Sequence, residues 1–120
     1  MNRIEHLLTC LAEECAEVQQ AVAKAQRFGL DDGYPGTDRT NKGDLENELT
    51  DLFAVLEMLE DDGILTCGES RRKAIDRKKA KVCEFMRYAE QRGTLTPNAA
   101  LTGAEGVRVE GTVMRKEEEC

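Results

Sequence analysis

The sequence predicts an all-α fold, a helical bundle of three helices per subunit completed by oligomerisation. Apolar residues recur at alternating steps of four and three along most of the chain, and glycine-rich breaks divide that pattern into three stretches. Trp is absent and aromatic residues make up only 4% of the composition. A four-three repeat keeps apolar side chains on one face of a helix with ~3.6 residues per turn, whereas a half-buried strand would alternate every second residue.

In the first helix the repeat runs through Ile4, Leu8, Leu11, Cys15, Val18, Val22 and Ala25, continues to about Phe28 and stops at Gly29. A second apolar row, Leu7, Cys10 and Ala21, runs beside it and contains Glu14, with Glu17 near its edge. These glutamates therefore border buried surface rather than the far solvent face. The stretch 29–43, GLDDGYPGTDRTNKG, is too rich in Gly, Asp, Thr, Asn and Pro for regular structure. Its length suits a binding loop or lid. Its aspartates, Asp31, Asp32 and Asp38, lack the alternating spacing and closing glutamate of a calcium loop.

The second helix is predicted from about Asp44 to Glu60, on the seam Leu45, Leu49, Leu52, Leu56 and Leu59, with Asp61, Asp62 and Gly63 closing it. Glu48 and Asp51 flank that seam beside Val55. Ser70 is the expected cap of a third helix that runs to about Arg92 and stops at Gly93. This helix carries a basic run (Arg71, Arg72, Lys73, Arg77, Lys78, Lys79, Lys81) opposite an apolar side of Ala74, Ile75, Val82, Cys83, Phe85, Met86 and Ala89. Beyond Gly93 the helical pattern fails, and Val107 to Met114 alternates around Gly111 as a small hairpin would. The expected organisation is a helical domain, 1–93, and a C-terminal extension, 94–120.

At 120 residues the chain makes one domain, near the size at which helices complete their burial by assembling. A net charge of −7 argues against binding nucleic acid through phosphate neutralisation. No apolar run is long enough to span a membrane, and acids interrupt the first twenty residues as they would not in a secretory signal. A cytoplasmic protein with reduced thiols is expected. The five cysteines, Cys10, Cys15, Cys67, Cys83 and Cys120, show no C-x-x-C spacing, which disfavours a structural zinc site. Cys10, Cys15 and Cys83 fall in helical patterns and are expected to pack as small apolar residues.

The acids carry the chemistry. Glu13, Glu14 and Glu17 lie on the first helix and Glu48 and Asp51 on the second, and residues three or four apart stack on one side. Stacked like charges repel unless a cation sits between them, and a hard divalent ion accepts carboxylate oxygens. Two antiparallel helices with facing seams would bring both clusters to one groove. Glu14, Glu17, Glu48 and Asp51 are the candidate ligands for Mg²⁺ or Mn²⁺, one to three ions per site, with Glu13 either completing the set or holding a water. Acids on a solvated face are the plainer reading of either cluster alone. A ferritin-like di-iron bundle is disfavoured because it uses Glu-x-x-His pairs, and His6, the one histidine, stands outside such a pair.

The pattern Glu-Glu-x-x-Glu (Glu13-Glu14-Cys15-Ala16-Glu17) followed by Glu-x-x-Asp (Glu48-Leu49-Thr50-Asp51) resembles the MazG-like all-α nucleoside triphosphate pyrophosphohydrolases. The likeness extends through LAEECAEVQQAVAKAQRFG and LENELTDLFAVL to the basic third segment, in the manner of small phage-type members, although the gap between the acid clusters is slightly longer than usual. It implies metal-dependent cleavage of a (d)NTP between the α and β phosphates, giving (d)NMP and pyrophosphate, in nucleotide-pool management. Relatives that cleave dGTP or GTP make those nucleotides candidate substrates. The five acids would be the catalytic set. A lysine of the third helix, with Lys78 and Lys81 the best placed, would hold phosphate. Leu7 and Leu11, with Ile4 and Leu8 beside them, would lie under the base, and Asn47 and Tyr88 would add polar contacts. Because a three-helix chain of this composition leaves a seam uncovered, a homodimer or homotetramer, a dimer of dimers, is expected, and the expected cytoplasm is that of the host if the chain is phage-encoded. The alternative is a non-catalytic helical oligomeric binding or regulatory module that keeps the seams and binds no ion.

Overall fold

The computed structural model describes residues 1–66 and 68–97. It is all-α, with α1 (Arg3–Phe28), α2 (Asn41–Asp61) and α3 (Glu69–Gln91) in that order and no strand among the described residues. The chain divides into two compact units, Met1–Cys67 and Gly68–Cys120. None of the described helices is long and apolar enough to cross a membrane.

The first unit is an antiparallel pair of helices. A capping box starts α1: the Glu5 N–H donates to Asn2 Oδ1 at 2.9 Å, and the Asn2 N–H donates to the Glu5 carboxylate at 2.9 Å. Gly29 ends the helix at φ +93°, a conformation that strains any residue with a Cβ, and its N–H donates to the Ala25 carbonyl. α2 starts one turn earlier than the sequence suggests, because Thr40 Oγ1 caps it by accepting the Gly43 N–H at 3.0 Å.

The loop between the helices has no regular structure, as expected, but it is tied down at its base. The Asn41 N–H donates to Asp32 O at 2.7 Å, the Lys42 N–H to Leu30 O at 2.9 Å, and the buried Asn41 side chain to Gly29 O at 2.8 Å. Gly33 lies so close to the returning strand of loop that a Cβ there would stand 1.7 Å from Arg39 O. At the far end of the pair, Arg3 donates two hydrogen bonds to Asp62, the shorter at 2.6 Å. That ion pair is exposed and adds little stability, but it fixes which residues stand opposite one another.

The helices meet along a line rotated from the one that apolar content alone suggests. On α1 the buried and half-buried positions are Leu7, Cys10, Leu11, Glu14, Val18, Ala21 and Ala25, so the face toward α2 combines Leu11, Val18 and Ala25 of the expected seam with the row that contains Glu14. Ile4, Leu8, Cys15 and Val22, expected in the seam, are exposed. On α2 the inner line is Leu45, Glu48, Leu52, Val55 and Leu59, with Leu49 and Leu56 half-buried beside it. Both lines keep the four-three step, so the repeat was read correctly, with its centre displaced toward the Glu14 side. Burial is thin. Among the described residues Leu59 at 0% exposure, Leu7 at 4% and Ala21 at 5% are the buried apolar side chains, while Phe53 is 61% exposed.

The second unit consists, among the described residues, of α3 and the turn after it. Gly68, not Ser70, precedes the helix, and no side chain caps it, so Ser70 lies inside the first turn. The end matches expectation: Arg92 caps, Gly93 takes φ +73°, and the N–H groups of Thr94 and Leu95 return to Ala89 O. Cys10 and Cys15 are free thiols, half-buried and exposed respectively. Cys83 is disulfide-bonded, which corrects the expectation of a reduced, packed thiol. The suggested hairpin at 107–114 lies outside the described residues, as do Cys67 and Cys120.

Candidate metal centre

Antiparallel pairing decides which acids meet. Arg3 stands opposite Asp62, and numbers that rise along α1 while falling equally along α2 bring Glu17 to Glu48 and Glu14 to Asp51. Carboxylate oxygens of Glu14, Glu17 and Glu48 all lie within 4.8 Å of one another. Glu14 and Glu48 occupy the seam itself and are half-buried, while Glu17 is exposed at its edge.

The electrostatics show how crowded these groups are. The Glu17 carboxyl is pushed above the ordinary carboxylate range, first by its hydrogen bond with Glu48 and by the charge of Glu48, then by lost hydration and the charges of Glu13 and Asp51. Two carboxyl groups can share a hydrogen bond only when one keeps its proton. Glu14 is also raised, by desolvation first and then by Glu17, Asp51 and Glu13. Asp51 and Glu13 are thus close enough to act on both glutamates, although the tight group contains only three acids. Among the described residues no lysine or arginine forms an ion pair with any of the five.

This donor set fits a hard divalent ion. Oxygens on one octahedral Mg²⁺ at ~2.1 Å stand at most about 4.2 Å apart, so carboxylates already within 4.8 Å need only small rotamer adjustments. With no histidine and no thiol in the group, a softer metal has no preferred ligand here.

The other residues singled out from the sequence are placed as follows. Leu7 is buried in the helix pair, Leu11 is half-buried, Ile4 and Leu8 are exposed on α1, and Asn47 is exposed on α2. Lys78, Lys81 and Tyr88 are exposed on α3, in the second unit, with the Lys81 ammonium 5.8 Å from the Phe85 ring centre.

Sequence reading overlooked what adjoins the acids within the first unit. A cleft there is lined by Glu17, Gln20, Ala21, Lys24, Arg39, Asn41, Asp44 and Glu48. Arg39 reaches it from the loop and donates to Asp44 Oδ1 through Nε at 3.0 Å and a terminal nitrogen at 2.8 Å. The seven-residue step from Glu17 to Lys24, two turns on one face, was a signal available in the sequence. The position of Arg39 was not, because it depends on how the loop closes.

No family profile, curated protein or solved structure matches this chain.

Proposed function

We propose that the protein is a metal-dependent nucleoside triphosphate pyrophosphohydrolase of the MazG-like kind, splitting a (d)NTP into (d)NMP and pyrophosphate. The observation that carries this reading is the convergence of Glu14, Glu17 and Glu48, from two helices, on one point without a neutralising cation. Carboxylates held together at the expense of their own ionisation are a mark of sites that bind or transfer charge.

Glu14, Glu17 and Glu48 would hold Mg²⁺ or Mn²⁺, with Asp51 turned in from the next turn of α2. The ion supplies neutralisation of phosphate charge, polarisation of the phosphorus–oxygen bond and a more acidic water. Glu13, whose charge acts on Glu17, would hold a water or accept its proton. The apolar row exposed on the first unit, Ile4, Leu8 and Val22 with Phe53, supports assembly into a homodimer or homotetramer that buries it. Lys78 and Lys81 remain proposed phosphate ligands and Tyr88 a proposed contact to the nucleoside. A guanine nucleotide is the first substrate to try.

The test is incubation with each ribo- and deoxyribonucleoside triphosphate and Mg²⁺ or Mn²⁺, with separation of mono- and diphosphate, phosphate and pyrophosphate. Monophosphate and pyrophosphate in equal amounts, formed only with metal, support the reading. Diphosphate and phosphate would move the cleavage to the terminal bond, and absence of turnover in folded protein would leave a non-catalytic binding module.

A further inference from the structure

The cleft beside the acid group changes its sign along its length. One end is made by Glu17 and Glu48, which also belong to the carboxylate group, and the other carries Lys24 and Arg39. Lys24 has no ion pair or hydrogen bond among the described residues. Arg39 contacts Asp44 with two of its five N–H donors, and this exposed pair, with the Arg39 side chain 70% accessible, is weak enough for a better anion to displace. The loop that presents Arg39 is pinned by the bonds from Asn41 and Lys42 to Asp32 and Leu30, with Gly33 packed against the Arg39 carbonyl. The guanidinium is thus delivered from a braced backbone.

The cleft is open to solvent, and the space between its walls, open mouth included, is about 310 Å³. Ala21 is the one apolar residue among those lining it. Such an open, polar cleft offers charged groups partners along its walls and no apolar surface for a nucleobase. An anion that bridges a metal held by the carboxylates and also satisfies two cations further along must carry charge on successive groups. We infer that Lys24 and Arg39 form a second anchor for the polyphosphate chain, holding the phosphates beyond the metal that leave as pyrophosphate. This rests on the metal site of the proposed function and adds the residues that position the leaving group, both within the first unit. Arginine suits the role because its planar fork matches two phosphate oxygens, while lysine acts as a point charge.

The test uses the full chain and two titrations followed calorimetrically, Mn²⁺ alone and inorganic tripolyphosphate with Mg²⁺ in excess. Lys24→Gln and Arg39→Gln are compared with wild type, circular dichroism reports folding, and Lys24→Arg serves as the rescue. Lys24 is an exposed helix residue whose replacement does not threaten the fold. The expected result is tripolyphosphate affinity at least tenfold lower in each glutamine variant, Mn²⁺ affinity within twofold of wild type, and recovery in Lys24→Arg. Tripolyphosphate binding unchanged in both variants while Mn²⁺ still binds would overturn the second anchor and leave the metal site standing. A parallel loss of Mn²⁺ affinity would show a structural effect and also overturn it. Failure of Mn²⁺ to bind wild type would remove the metal site, and the anchor with it.

Discussion

Glu17→Gln should change stability in opposite directions with and without metal. In the metal-free protein the Glu17 carboxyl is held above its ordinary range by Glu48 and its neighbours, so ionisation at neutral pH works against folding. A neutral amide of the same size removes that repulsion and still donates a hydrogen bond to Glu48, so the metal-free variant should melt higher than wild type. Added metal reverses the order. An ion at one hundred times its dissociation constant stabilises the folded state by about 2.7 kcal/mol. For a chain of this size that is a rise of roughly 10 °C in Tm. The tight group has three carboxylates, and losing a charged ligand should weaken binding at least as much as the ~100-fold upper range seen when only a ligand's supporting partner is lost. At the same metal concentration the variant would then gain only about 0.4 kcal/mol, a shift under about 2 °C. Thermal melts at pH 7 with chelator and with Mn²⁺ measure all four values. An equal metal-induced shift in both proteins, or a metal-free variant less stable than wild type, would refute the argument.

The pH dependence follows from the same groups. Because Glu14 and Glu17 are raised in the folded state, their contribution is fully favourable below the unfolded value of about 4.3 and is lost as pH rises through their folded values. Melts between pH 4.5 and 7 in chelator should therefore show metal-free stability falling with pH, less steeply in Glu17→Gln. Asp76, depressed by its hydrogen bond to Arg72, acts in the opposite sense, its contribution being lost only below about pH 3.9, so the two windows separate. Leu59→Ala empties the one fully buried large side chain among the described residues and should cost about 3 kcal/mol, read as a lower urea midpoint at constant slope. Gly33→Ala forces the loop away from Arg39 and endangers the two backbone bonds at its base, a loss of about 1–3 kcal/mol by the same assay.

Helix existence and most helix ends were legible because they depend on local chemistry. Gly29, Gly63 and Gly93 all take positive φ where the sequence places stops. The start of α2 was misplaced because Gly43 weakens the first turn in a propensity reading, whereas Thr40 caps across it. The centre of the α1 seam was misplaced for a different reason. Apolar content places Ile4, Leu8 and Val22 beside Leu11, Val18 and Ala25, yet the side that meets α2 joins those three to the row carrying Glu14, because pairing is decided by both helices together. That Glu14, Glu17 and Glu48 meet could be expected from spacing, since antiparallel helices keep their register over several turns. Lys24 and Arg39 could not be assigned to their cleft without knowing the bonds that close the loop.

The placement of the acids is what favours the proposed site over a solvated face. Elsewhere the chain handles exposed charge conventionally, setting Lys42 against Glu46, Lys73 against Glu69 and Arg72 against Asp76, each one helical turn apart. At Glu14 and Glu48 it does the reverse. Both stand at seam positions where apolar side chains would bury surface, each raises or shares the charge burden of its neighbours, and no cation relieves them. A helix pair with so little buried apolar surface gains nothing in stability from that choice. Acids that crowd one another in the seam are what the proposed divalent ion would account for, since it would remove the repulsion while using all three carboxylates at once.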